Sequence, residues 1–160
     1  MVIQWKKGRD GPPNLTCVRA DGTRTWRRVH PFFPTHDLVH CAVESVFGLT
    51  QAFFGLVASG WSLDDFDQRG PPARLPNEAL WAENMVGLFD LERATGHVMA
   101  AAEFNAALAA SLSAQGRPPF RSVTDADLAR VRALVADLRG RWQVMAVGDT
   151  LAIPFPMAAA

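Results

Sequence analysis

The chain opens in short β-prone runs and then turns to apolar positions recurring at helical spacing, with the change near residue 30. VIQWK is rich in strand-forming residues, and GRDGPP punctuates it with turn formers. LTCVRA and TRTWRRV flank Asp21-Gly22, a dipeptide suited to a type I′ hairpin turn because both central residues need positive φ. Three antiparallel strands are expected, near 2–7, 15–20 and 23–29. Pro31 and Pro34 then stop strand pairing, since proline lacks the donor.

Thr35 reads as the N-cap of a helix of about twelve residues ending at Gly48, with Asp37 suited to the positive helix start. LTQAFFGLVASG extends the helical pattern to Gly60. WSLDDFDQRGPPARLP reads as a polar loop, a candidate lid or rim over 61–76. Asn77 is placed to cap EALWAENMVGLFDLERAT, which Gly96 ends. A further helix covers about 100–115. TDADLARVRALVADLRG carries Thr124 and Asp127 at capping-box spacing, the stripe Leu128, Val131, Leu134/Val135 and Leu138, and Gly140 as its stop. RWQVMAV and TLAIPF around Gly148-Asp149 predict a C-terminal β-hairpin, with Pro154 confining its last strand to a sheet edge. Strands, then helices, then a hairpin predict an α+β fold, not βαβ alternation. The expectation is one domain over 1–160: an N-terminal meander and a C-terminal hairpin, about five strands, packed by four to five helices.

Composition narrows the class. Apolar residues make up 49% and charged residues 20%, as in a soluble globular chain. The formal net charge is zero, which argues against a dedicated nucleic-acid or membrane-surface binder. Charge is nonetheless segregated: residues 1–36 are net +5, residues 37–103 net −7 and the remainder +2. The basic segment reads as a solvated strand face or a contact with the acidic middle ahead of a surface for nucleic acid or an acidic partner. Cys17 and Cys41 are too few for a disulfide framework, and MVIQWKKGRD lacks a signal-peptide core. The expected setting is a reducing, bacterial-type cytoplasm.

The candidate chemistry lies in FPTHDLVHCAVE. At about 100° per residue, His36, His40, Glu44 and Asp37 share an arc of about 100°, while Leu38, Val39, Ala42, Val43, Val46 and Phe47 fill most of the other side. Histidines at i and i+4 can give two imidazole nitrogens to one metal. Glu44 lies about 12 Å along the axis from His36, too far to join both rings, and suits orienting His40 or ligating a different ion. Cys41 points about 100° away from His40, so a Cys–His dyad is not expected.

HDLVH resembles the HExxH motif of zinc metallopeptidases, with Asp37 at the general-base position. The longer FFPTHDLVHCAVE is similar to a segment of an uncharacterised bacterial family, a resemblance that implies no activity. A catalytic zinc site needs a third protein ligand. Glu83 and Glu78 in NEALWAEN are the first choices, with His30 and His97 as alternatives. The resulting reading is a divalent-metal site of His36, His40 and Glu83, zinc ahead of iron or manganese, with Asp37 or Glu44 as the base of a hydrolase acting on a small molecule. The alternatives are a non-catalytic interaction domain, dimerising through its edge strands, and a purely structural metal site.

Overall fold

One face of a four-stranded sheet is covered by helices, and the helix that carries the histidines runs between the two cores. The structure is a computed structural model that describes residues 1–9, 11–68 and 75–156. Strands β1 (Val2–Lys6), β2 (Asn14–Val18) and β3 (Arg24–Arg28) precede helices α1 (Phe33–Phe47), α2 (Phe53–Ala58), α3 (Asp65–Gln68), α4 (Asn77–Thr95), α5 (Ala101–Ala114) and α6 (Asp125–Val144), and β4 (Thr150–Pro154) follows. The strand order is β3-β2-β1-β4, antiparallel throughout. The expected α+β class is therefore observed.

Strand alternation decides which sheet face is covered. Ile3, Trp5, Leu15, Cys17, Leu151 and Ile153 point inward and join Leu38 and Cys41 of α1, Phe54 and Val57 of α2 and Leu138 of α6 in one core. Val39, Val43 and Phe47 of α1 face a second core with Trp81 and Met85 of α4, Phe104 of α5 and Leu128 and Val131 of α6. Helix α1 thus packs on both sides, which leaves only a narrow polar strip for His36 and its neighbours.

Several local expectations give way to longer-range partners. The turn at Asp21-Gly22 has positive φ at Gly22 alone, and Gly22 N–H donates to Arg19 O while Arg19 N–H donates to Thr23 O. This is a three-residue loop, a type I turn followed by a left-handed glycine, not type I′. Helix α1 starts at Phe33 with Pro34 in its first turn, so Thr35 lies inside the helix and is not its cap. Pro76 precedes α4, and Asn77 donates instead to Pro118 O at 3.2 Å.

No C-terminal hairpin forms. Helix α6 continues through Gly140 to Val144, because Trp142 packs edge-on against Trp5 and Lys7 Nζ donates to the carbonyls of Trp142, Gln143 and Met145 at 2.8–3.2 Å. A lysine from the sheet supplies donors for the helix end, and favours its negative dipole terminus. Strand β4 then pairs with β1 and occupies the edge anticipated for Pro154, giving four strands, not five. The Thr124–Asp127 capping box and the left-handed Gly96 stop are as the sequence implies. Part of the 61–76 loop is the short α3; residues 69–74 of the expected lid lie outside the described residues.

Away from the histidines, Glu92 of α4 is buried and accepts from Arg132 Nε at 3.0 Å, Arg132 Nη2 at 2.6 Å and Met99 N–H at 2.9 Å. Glu92→Ala is expected to lower stability by about 3 kcal/mol in urea unfolding, since it strands a partly buried guanidinium and a buried amide. Glu92→Gln, which can keep part of the bonding, is expected to cost less.

Candidate metal centre

Helices α1 and α4 meet through two histidine–carboxylate rungs. His36 Nδ1 lies 2.9 Å from Asp90 Oδ2, and one turn along α1 His40 Nε2 lies 3.1 Å from Glu83 Oε2. Rising along α1 from 36 to 40 matches descending α4 from 90 to 83, so the two helices run antiparallel here, with Glu83 and Asp90 on one face at i and i+7. The two imidazole rings stand 5.1 Å apart, and Phe32 stacks on His36 while Phe53 tilts against His40.

One ligand atom from each of His36, His40 and Glu83 falls within 4.8 Å of the others, the one such group among the described residues. Two ligands on bonds of about 2.0–2.1 Å at a tetrahedral metal sit roughly 3.3 Å apart, close to the His40–Glu83 separation. The rings are also oriented for this use. Asp90 engages Nδ1 of His36, and Glu44 Oε1 faces Nδ1 of His40 at 3.4 Å, near enough for charge attraction though not aligned as a hydrogen bond. Each histidine therefore turns Nδ1 to a carboxylate and leaves Nε2 for the centre, the pattern by which outer carboxylates fix metal-bound imidazoles. Two nitrogens and one carboxylate oxygen could hold a divalent metal.

Glu44 is fully buried, and its second oxygen accepts from Phe54 N–H at 2.8 Å and Gly55 N–H at 3.1 Å. It thereby caps α2, whose own N-cap Ala52 offers no side-chain bond. Burial pushes its carboxyl above the usual range, and His40 with the two amides partly offsets this. At His40 burial opposes charge, but Glu44 and Glu83 outweigh it and push the ring up to about 10. Glu83 is held below the carboxylate range by its bond to His40, and Asp90, despite desolvation, is held low by His36 and Arg93.

Asp37 differs from these. It is buried, sits within the fields of His40, His36, Arg27 and Glu83, and its side chain makes no hydrogen bond among the described residues. Burial is the largest influence on it and pushes its carboxyl up to about 6. The remaining candidates are engaged elsewhere. Glu78 accepts from Thr50 and Gln51 N–H at 2.6 Å, His97 pairs with Glu103, and His30 accepts from Phe32 N–H, none of them at the cluster. Cys41 is buried with its thiol pushed far up by desolvation, as is Cys17 to about 12.

Asp90 and Arg139 complete the site without having been singled out by sequence. Arg139 Nη2 reaches Asp90 Oδ1 at 3.4 Å and Thr35 O at 3.2 Å. The seven-residue spacing of Glu83 and Asp90 on α4 is the signal that could have found the first. Compared with family models, curated proteins and solved structures, the chain matches none. The site thus stands on its own geometry.

Asp37→Asn is expected to stabilise the metal-free protein at pH 8 by on the order of 2–3 kcal/mol, from a folded carboxyl near 6 against about 3.8 unfolded. With the folded value raised, the wild-type penalty is absent below about pH 4, grows through pH 4–6 and is complete above. Chemical denaturation across pH 4–8 should therefore show the gain of the variant appearing over that window. A constant difference, or none, would remove Asp37 as a strained group.

Proposed function

We propose that the chain binds one divalent ion through His36, His40 and Glu83, zinc ahead of iron or manganese, and hydrolyses an ester, amide or phosphoester bond in a small molecule. The observation that carries the reading is the convergence of three donors within 4.8 Å while each histidine turns its other nitrogen to a carboxylate. When bound, such an ion would supply a water of lowered pKa and polarise the bond under attack. Asp90 and Glu44 are positioning residues that hold the His36 and His40 rings. Asp37, on the same strip and with no hydrogen bond to hold its carboxylate, is the residue assigned to take the proton of the water. This reading takes the chain as cytoplasmic, with Cys17 and Cys41 reduced.

One observation favours a second reading. His40 and Glu83 already touch at 3.1 Å, so the cluster can serve as an ion-paired lock between α1 and α4 with no metal.

Elemental analysis of purified protein, with metal titration of the stripped form, separates the two. Near-stoichiometric metal, lost in His40→Ala and weakened about 10–100-fold in Asp90→Ala, is expected of the metal centre. Asp37→Asn should keep the metal yet lower turnover of any substrate found about 10²–10⁴-fold. Absence of metal uptake by the wild type would leave the lock.

A further inference from the structure

The helices cover one face of the sheet; the other carries a separate set of groups. On β3 the outward residues are Arg24, Trp26 and Arg28, all exposed. Register places Arg28 beside Asn14 of β2, and Asn14 beside Lys6 of β1, in one row across the sheet. Lys6 and Arg28 thus start about 10 Å apart, two strand spacings, with Asn14 between them. A cavity of about 580 Å³ opens over this row, bounded by Trp26, Lys6, Arg28 and Arg9 and by glycines 8, 11 and 148. A Cβ at Gly11 would meet nothing within 4 Å, so that wall is bare backbone around open space.

Two features point to a ligand. Trp26 is 59% exposed, whereas Trp5 and Trp81 are fully buried. No ring or cation lies against its indole among the described residues, so the face of the ring is open to a ligand. Lys6, Arg9 and Arg28 likewise have no ion pair among the described residues, whereas neighbouring Lys7 is committed to the end of α6. The nearby Asp149 accepts from Ala146 N–H, and Asp10 lies outside the described residues. Unpaired cations close together repel, and an anion between them relieves that repulsion. A cavity of this size suits a ligand of one nucleotide, and a single free indole stacks one base, where a strand of nucleic acid would call for a succession of rings.

We propose that the outer face of the sheet holds a nucleotide, its base stacked on Trp26 and its phosphates among Lys6, Arg9 and Arg28. The site is independent of the metal centre, which lies across the sheet among the helices.

Calorimetric titration of the full chain in EDTA with AMP and ATP tests this, beside inorganic pyrophosphate and an oligothymidylate as probes. Saturable nucleotide binding is expected, weakened at least about tenfold by Lys6→Ala/Arg28→Ala. Trp26→Ala should weaken AMP and ATP by a similar factor but leave pyrophosphate unchanged. His40→Ala should leave all four probes unaffected. Because all three substituted sheet residues are exposed, unchanged thermal unfolding will confirm that the variants fold. The proposal is overturned by absence of saturation up to about 10 mM nucleotide. It is equally overturned if pyrophosphate and ATP bind alike, which marks a plain anion patch, or if the oligonucleotide binds far tighter with length, which marks a single-strand platform.

Discussion

A fully buried carboxylate, Glu44, ties the fold to the site. Removing such a charge from water costs several kcal/mol unless the protein replaces what water gave it. Here the replacements are two amides at the start of α2 and the imidazole of His40. Helix α2 has only six residues and no cap of its own, so it docks by presenting its positive end to this oxygen. Gly55 makes the approach possible: a Cβ there would fall 2.5–2.8 Å from the Thr50 backbone. Glu78 binds the two preceding amides from the α4 side. The linker after α1 and the start of α2 are thus held by one carboxylate from each of the helices that build the cluster. The ring of His40 is aimed as a consequence of the same packing.

Charge segregation in the sequence becomes spatial. The acidic middle supplies Asp37, Glu44, Glu83 and Asp90 to the α1–α4 seam, and the basic first segment puts Lys6, Arg9, Arg24 and Arg28 on or beside the outer sheet face, while Lys7 reaches the end of α6 and Arg27 pairs with Asp67. At about 0.1 M ionic strength, screening acts over roughly 10 Å, so each surface responds to its own charges and not to the net value of zero. The seam is acidic, and Lys6, Arg9 and Arg28 make the cavity on the outer face basic.

Features set by neighbours in sequence are legible from it: the strand pairing around Asp21-Gly22, the capping box at Thr124, the left-handed stop at Gly96 and the polar strip of His36, His40 and Glu44. Glu83 is reachable too, as a carboxylate on the helix that must pack against the histidines. What fails depends on partners far along the chain. Gly140 is a fair stop signal, but Lys7, more than 130 residues away, supplies the donors that let α6 run on. Thr35 is a good cap residue, yet Pro34 already fits the first turn and the helix begins before it. Asp90 carries only its seven-residue spacing from Glu83 as a mark, and that spacing gains meaning from the antiparallel docking of α4 on α1.

The cluster is over-supplied with anions. Asp37, Glu44, Glu83 and Asp90 converge near two imidazoles, with Arg139 on Asp90 and Arg27 within the field of Asp37. Without a metal, the balance is made by protons, first on His40, whose ring holds one up to about pH 10, and then on Asp37, which gives up its own only near 6. A divalent ion would take over the same task while releasing the His40 proton, because an imidazole must be neutral to bind it. The lock and the metal centre are therefore not two architectures. They are one set of carboxylates that a proton on His40 or a divalent ion could answer, and Asp37 is the member whose carboxylate no hydrogen bond restrains among the described residues.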